Sequence, residues 1–155
     1  MKISIIYDSL YGNTEKIAQT IKEVLEKKHE IDIKNVTEAK LKDFQEKDLV
    51  IIGSPTHTGR PSKAMQVLLN MLPKESLKGS KLAVFDTSMA TYKQNFFMKG
   101  VIKFFGYSAP RVANILKKKG AEILSVQSFF VMNMKGPLKE DEVERAKKWG
   151  SGLKG

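Results

Sequence analysis

The amino-acid sequence predicts an α/β fold in which amphipathic helices cover both faces of a parallel β-sheet. Near-continuous apolar runs such as Ile3–Ile6 and Leu49–Ile52 are typical of strands that are buried on both faces. Helical patterns lie between these runs along the chain, which indicates βαβ units. At 155 residues, with 41% hydrophobic residues, the chain is expected to form one domain over residues 1–155 with a full core.

Five strands and five helices are expected. The strands are predicted at roughly 2–7, 30–35, 48–53, 81–86 and 122–131. The helices are predicted at roughly 13–28, 61–71, 95–104, 108–119 and 139–151. The second strand alternates apolar and polar residues, as an edge strand does. Pro61 suits the start of a helix, and Gly120 suits the end of the helix that finishes in Lys117–Lys119.

Charge and composition restrict the classes of function. The net charge is +10, and only three of the 27 basic residues are Arg. Lys is a poor bidentate reader of bases, and its clusters fall near predicted helix C-termini, where they favour the helix dipole. The main interpretation of these lysine clusters is therefore a solvated helical surface. Electrostatic docking of an acidic protein partner is the next, and no nucleic-acid partner is predicted.

Several kinds of site and location are excluded by what the sequence lacks. With no cysteine there is no disulfide, no thiol catalysis and no Cys-ligated metal, and the two His, His29 and His57, are too far apart in sequence to suggest a metal site. No apolar run approaches the ~20 residues that a membrane span needs. The chain begins directly with a strand rather than a signal peptide, so a cytoplasmic location without membrane association is expected.

The segment from Ser9 to Thr14 joins the first strand to the first helix and has the composition of an anion site. At a helix N-terminus the backbone N–H groups point outward and the helix dipole favours negative charge, while Ser9 and Thr14 add hydroxyl groups. The loop contains no Lys or Arg, so it suits a phosphate that is held by neutral donors. The alternative is an ordinary capped turn, with Asn13 or Thr14 as the N-cap.

A second unusual segment follows the third predicted strand. Residues 53–61 contain two Gly and two Pro, which fix an irregular backbone path at the carboxyl end of that strand. In open parallel sheets ligands bind outside the carboxyl ends of the strands, where the strand order reverses. The loops after the first and third strands are the two that would meet there.

These segments resemble those of flavodoxins. Tyr7-Asp8-Ser9-Leu10-Tyr11-Gly12-Asn13-Thr14 is similar to the flavodoxin phosphate loop, and Gly53-Ser54-Pro55-Thr56 to the start of the second FMN loop. The ending, from Ser128-Phe129-Phe130-Val131 through Gly136-Pro137-Leu138 to Glu144-Arg145-Ala146, is also similar. The resemblance implies a doubly wound, three-layer fold with strand order 2-1-3-4-5. The compact fifth strand has no room for the insertion of long-chain members, which implies the short-chain type.

The resemblance also implies a set of FMN contacts. The phosphate is expected on the first loop, and the isoalloxazine ring between the second loop and the segment after the fourth strand. The expected phosphate contacts are Ser9, Leu10, Tyr11, Gly12, Asn13 and Thr14. The expected ring contacts are Ser54, Pro55, Thr56, His57, Thr58, Gly59, Arg60, Thr87, Ser88, Met89, Tyr92 and Asn95.

The chain departs from the family pattern at several of these positions. Tyr11 stands where many members have Thr, and the second loop lacks the Trp or Tyr that often stacks on the flavin. Tyr92 is the candidate for stacking, whereas Trp149 is expected in the core. In the family a peptide beside the flavin rotates on reduction, and Thr58–Gly59 matches it by position. The alternative interpretation of Gly59 is a static turn residue.

The leading functional hypothesis is a flavodoxin, that is, a low-potential electron carrier with non-covalently bound FMN that acts with redox proteins. No catalytic residue or metal ligand is predicted. An FMN-dependent NAD(P)H:quinone or flavin reductase is the enzymatic alternative, although 155 residues leave little chain to cover a substrate. A cofactor-free scaffold that docks acidic partners is the third. Family flavodoxins are commonly acidic, so the charge of +10 puts their usual partners in doubt.

Overall fold

The computed structural model describes residues 1–89 and 106–155. Five parallel strands form one sheet in the order β2-β1-β3-β4-β5, which confirms the expected fold. The strands are β1 Lys2–Tyr7, β2 Glu30–Asn35, β3 Leu49–Pro55, β4 Lys81–Met89 and β5 Glu122–Val131. The helices of the described ranges are α1 Asn13–Leu25, α2 Lys63–Met71, α3 Ser108–Lys118 and α4 Glu142–Gly152. The helix predicted at 95–104 lies outside the described residues.

The sheet is covered on both faces, because successive residues of each strand point to opposite sides. On one face Ile5, Ile51 and Phe85 pack with α1 and α4, and on the other Ile52 and Val84 pack with α2 and α3. Trp149 meets the rings of Phe85 and Phe129 edge-on, each at 6.0 Å, so it is a packing residue as predicted. The described helices include none that is long and apolar enough to cross a membrane.

Two strands extend further toward their carboxyl ends than the sequence predicted. The expected ends at 53 and 86 were wrong, because Ser54 and Pro55 pair with Asp86 and Thr87 of β4. The last residues of β4 also pair with β5, up to Met89 opposite Val131. Neighbouring strands therefore hold Ser54, Pro55 and Thr87–Met89 in regular structure, where the polar and proline-containing sequence had suggested loops.

The helix boundaries differ from the prediction by a few residues. Pro61 precedes α2 rather than opening it, because Ser62 is the N-cap and its hydroxyl accepts the N–H of Met65 at 3.2 Å. The first helix ends at Leu25 instead of about 28, and the last begins at Glu142 instead of about 139. Gly120, at φ +99°, follows α3 and supplies the left-handed residue expected after a helix end.

Candidate functional site

The first loop connects β1 to α1 at the carboxyl edge of the sheet. It is fixed to the neighbouring strand, since the N–H of Asp8 donates to the carbonyl of Gly53 at 3.0 Å. Gly12 adopts φ +84° and directly precedes α1, with no side-chain cap bond. A left-handed backbone at this point strongly favours glycine. The alternative of an ordinary capped turn placed the N-cap at Asn13 or Thr14, and this placement was wrong because Gly12 is the N-cap.

The loop leaves several backbone donors without acceptors. The N–H of Ser9 donates to Asp8 Oδ1 at 2.9 Å, and the hydroxyl of Ser9 accepts the N–H of Glu15 at 3.2 Å. Within the described ranges no group accepts the N–H of Leu10, Tyr11 or Gly12. The donors lie at the positive end of the α1 dipole, which suits an anionic group of the size of a phosphate.

Thr14 is less available than its sequence position suggested. Its side chain is buried, and its hydroxyl lies 2.7 Å from the hydroxyl of Thr87, on β4. Either hydroxyl can be the donor of this bond. If Thr87 donates, the proton of Thr14 is left for another acceptor, so Thr87 orients the hydroxyl of Thr14 across the floor of the site.

The second loop is a tight hairpin at the end of β3. The N–H of His57 donates to the carbonyl of Arg60 at 2.8 Å, and the N–H of Arg60 donates back at 3.0 Å. Thr58 and Gly59 occupy the turn between them with φ of +50° and +72°. Two successive positive φ values are the signature of a type I′ turn. Glycine accepts this conformation readily, whereas a β-branched threonine does so with strain.

The start of the second loop is held from below by hydroxyl groups. Ser54 is buried, and its hydroxyl accepts the N–H of Ser62 at 3.1 Å, which connects β3 to the start of α2. The N–H of Thr56 donates to the carbonyl of Thr87 at 2.9 Å. The hydroxyl of Thr56 donates to that of Ser108 at 2.8 Å and accepts the N–H of Ser108 at 3.0 Å. The loop is thereby connected to the first turn of α3.

Asp86 lies under this network and is fully buried. Its Oδ2 accepts the N–H of Ala109 at 2.7 Å and lies 3.4 Å from the hydroxyl of Ser108. Burial raises the pKa of Asp86 to about 6, although the hydrogen bonds from Ala109 and Ser108 oppose the shift. The sequence did not mark this residue as functional, because an Asp at the end of a strand has no local signature.

A third loop, residues 132–135, completes the site after β5. The Nδ2 of Asn13 donates to the carbonyl of Lys135 at 3.2 Å, so this loop is joined to the first residue of α1. Val131 and Met134 face the same cavity as the first two loops. Sequence reasoning missed both residues. The available signal was that β5 is parallel to β1 and β3, so its carboxyl end must lie at the same edge of the sheet.

The three loops and the end of β4 enclose a cavity of about 390 Å³. This volume is within the ~300–1,000 Å³ of typical small-molecule sites. Two buried polar atoms near it, Nε2 of His57 and Oγ of Ser88, have no hydrogen-bond partner among the described residues. Among the described residues no group of three or more metal-ligating side chains is placed to hold a metal ion.

Most of the residues predicted for the site come together around this cavity. The predicted residues that line it are Ser9, Leu10, Tyr11, Asn13, Thr14, Pro55, Thr56, His57, Thr58, Thr87, Ser88 and Met89. Gly12, Ser54, Gly59 and Arg60 shape the loops around the cavity without lining it. Tyr92 and Asn95 lie outside the described residues.

The donor set fits an FMN molecule in type and arrangement. Unpaired N–H groups at a helix N-terminus suit the phosphate, and an apolar cavity with a few unpartnered polar atoms suits a flat heteroaromatic ring. A doubly wound sheet with such a cavity at the carboxyl ends of its central strands defines the mononucleotide-binding class of α/β proteins.

Comparison with known proteins narrows this class to one family. The sequence model of the flavodoxin domain matches residues 4–148. The chain is 28% identical over 158 residues to a flavodoxin of Maridesulfovibrio salexigens, covering 98% of this chain and 96% of that protein. It is 29% identical over 118 residues to a flavodoxin of Clostridium saccharobutylicum, covering 68% of this chain and 74% of that protein.

A solved structure supports the same assignment. Oxidised Flavodoxin 2 of Bacillus cereus is 26% identical to this chain, with a TM-score of 0.68 over 97% of this chain and 96% of that one. The chain belongs to the flavodoxin family. Flavodoxins bind FMN, carry electrons and act with redox partner proteins, and the predicted function and cofactor are thereby confirmed at the level of the family.

Proposed function

We propose that this chain carries electrons on an FMN molecule held in the cavity between the three loops. The observation that carries the proposal is the row of unpaired N–H groups from Leu10 to Gly12, at the start of α1 and at one end of that cavity. When bound, FMN supplies the reversible uptake of electrons. The protein contributes binding, orientation and a local electrostatic environment.

The first loop would hold the phosphate by neutral donors. The N–H groups of Leu10, Tyr11 and Gly12 would donate to one anion, and the hydroxyl of Ser9, which accepts the N–H of Glu15, would donate its proton to the same anion. Thr14 would donate only when Thr87 donates to it. We therefore assign Thr87 to orienting Thr14, in addition to its predicted role as a contact.

The hairpin and the end of β4 would hold the ring. His57 and Ser88 each present a buried polar atom without a partner in residues 1–89 and 106–155, and a polar heterocycle would satisfy both. The Thr58–Gly59 peptide forms the centre of the turn, and rotation there would change which of its two polar groups faces the cavity. Arg60 is exposed beside this turn and would favour a more negative ring by its charge.

A pair of hydroxyl deletions tests this assignment. Ser9→Ala combined with Thr14→Ala should weaken FMN binding to the apoprotein, because each lost hydrogen bond to a charged group is worth about 1.5–3 kcal/mol. Riboflavin, which lacks the phosphate, should bind almost as before. Ser151→Ala removes an exposed hydroxyl on α4 and is the control. An equal loss for FMN and riboflavin would argue against a phosphate site on this loop.

The purified protein itself separates the three functional hypotheses. A yellow protein with a flavin spectrum rejects the cofactor-free scaffold. Oxidation of NADPH without an added reductase would then favour the FMN-dependent NAD(P)H:quinone or flavin reductase. A spectrum that changes only when a separate reductase supplies electrons is the expected result for a carrier.

We further propose that the redox partner is acidic. The chain has a net charge of +10. The exposed Lys135 lies beside the exposed Tyr11, and the exposed Arg60 lies in the hairpin whose His57 and Thr58 line the cavity. Electron transfer with an acidic partner should slow steeply as salt rises, because exposed charges are screened beyond about 8 Å at physiological ionic strength. Reduction by a small uncharged donor is the control. Rates with the protein partner that do not depend on salt would remove the case for steering by basic residues.

Two broader predictions belong to the same proposal. Residues 1–155 are expected to act as a single domain, which one cooperative unfolding transition seen by two spectroscopic probes would support. A cytoplasmic location is expected as well, and fractionation of the producing cells would test it.

A further inference from the structure

Lys135 brings a positive charge from the third loop to the first loop. Its Nζ lies 5.9 Å from the centre of the Tyr11 ring. Its backbone carbonyl accepts the hydrogen bond from Asn13, the first residue of α1. One residue of the third loop thus touches two residues of the first, across more than a hundred positions of sequence.

The third loop is held firmly enough to keep this charge in place. Gly136 adopts φ +101°, and its N–H donates to the carbonyl of Asn133 at 3.0 Å. The backbone of Gly136 comes so close to α1 that a Cβ there would lie 2.6 Å from Oδ1 of Asn13. The N–H of Met132 donates to the carbonyl of Pro137 at 2.8 Å, which closes the base of the loop.

The first loop has no cation of its own. From Asp8 to Glu15 the sequence contains two carboxylates and no cation. A phosphate held there by neutral N–H groups would therefore receive no charge-assisted contact from the loop itself. The charge of Lys135 beside Tyr11 would attract such a phosphate without lying in the loop.

We propose that Lys135 is the cationic element of the phosphate subsite and makes this flavodoxin prefer phosphorylated over unphosphorylated flavin. The inference rests on the proposed FMN site and adds a residue to it from outside the two FMN loops that the sequence resemblance identified. The third loop, which the sequence did not mark, then contributes to ligand choice as well as to the wall of the cavity.

The test compares FMN with riboflavin on the full-length apoprotein, by quenching of flavin fluorescence at low and high ionic strength. Lys135→Gln should raise the dissociation constant for FMN about 3- to 5-fold at low salt, which is the upper end of the scale for an exposed charge pair. Lys135→Glu should raise it further, and Lys135→Arg should restore it. Riboflavin binding should stay within twofold for all three variants.

Lys78→Gln is the matched control, because Lys78 is an exposed lysine before β4, at the opposite edge of the sheet. It should leave both ligands unchanged. The difference between wild type and Lys135→Gln should shrink at high salt, and inorganic phosphate should compete with FMN less well in the variant. Equal changes for FMN and riboflavin, or none for either, would overturn the inference. A wild-type apoprotein that binds neither flavin would instead overturn the proposed function.

Discussion

Asp43 and Asp86 are both buried carboxylates, but their surroundings differ. Asp43, at the end of the short helical turn Leu41–Asp43, lies 2.6 Å from the Nζ of Lys34 and accepts the N–H of Lys40 at 2.7 Å. Burial alone raises the pKa of Asp43, but these two hydrogen bonds outweigh it, and the pKa is lowered. Asp86 has backbone and hydroxyl partners instead, and burial raises its pKa to about 6.

The opposite pKa shifts of the two carboxylates follow from their different positions in the fold. Asp43 fastens the connection between β2 and β3, where a nearby lysine stabilises its charge. Asp86 lies below the second loop. In the part of the chain that the structure describes, its Oδ1 has no hydrogen-bond partner, and unpartnered atoms of His57 and Ser88 lie near the cavity. Incompletely paired buried polar groups cost stability, and sites for ligands are where such costs concentrate. The charged form of Asp43 therefore stabilises the folded protein, whereas the charged form of Asp86 destabilises it.

The largest expected effect comes from Asp86→Asn. Because the pKa of Asp86 rises from 3.8 to about 6 on folding, the folded state binds more protons than the unfolded state between these values. The contribution of Asp86 to stability therefore falls as pH rises from about 4 to about 6, by up to about 3 kcal/mol. Asn keeps an acceptor for Ala109 without the charge, so it should stabilise the apoprotein at pH 7 and remove that fall.

Urea unfolding of the apoprotein at intervals between pH 4.5 and pH 8 measures this effect. Asp86→Asn and wild type should converge toward the acid end, separate as the pH rises to about 6, and stay apart by a constant amount above it. Parallel curves over the whole range would mean that Asp86 does not titrate in the folded protein as its burial implies.

Asp43→Asn should destabilise the protein at pH 7, which is the opposite of the change expected for Asp86→Asn. The folded pKa of Asp43 is lowered, so its contribution is present above the unfolded value of 3.8 and is lost as pH falls through the folded value. Loss of the charged hydrogen bond should cost about 1–2 kcal/mol at pH 7, since the partly exposed Lys34 is screened by solvent. Asp32 contacts the same lysine at 3.0 Å but is 40% exposed, so Asp32→Asn is the control. Equal losses in the free energy of unfolding for Asp43→Asn and Asp32→Asn would show that the burial of Asp43 does not strengthen its bond to Lys34.

The smallest effect concerns backbone strain in the same two regions. Thr58, in the hairpin, and Glu46, just after Asp43, have similar φ values of +50° and +55°. A left-handed residue costs about 1–2 kcal/mol, most for a β-branched side chain, while glycine costs roughly 0.5–1 kcal/mol in the unfolded chain. Thr58→Gly should therefore stabilise the protein by about 0.5–1 kcal/mol, and Glu46→Gly by less. Thermal unfolding measures both, and a larger gain for Glu46→Gly would refute the comparison.

The sequence by itself determined the layers of the fold and the identity of the first loop. Runs such as Ile3–Ile6 specify buried strands by local composition, and the Ser9–Thr14 segment resembles the flavodoxin phosphate loop through residues that are adjacent in the chain. The extra length of β3 and β4 could not be read in this way, because Pro55 and Thr87 look like loop residues until their partner strands are known.

Only the tertiary structure decided which distant residues share the site. The bond from Asn13 to Lys135, the hydroxyl pair of Thr14 and Thr87, and the position of Asp86 under Thr56 each join segments that are far apart in sequence. Periodicity and turn composition describe neighbours along the chain, whereas these contacts depend on parallel strands ending at the same edge of the sheet. The position of Lys135 beside the first loop and that of Asp86 beneath the hairpin are for this reason properties of the folded chain.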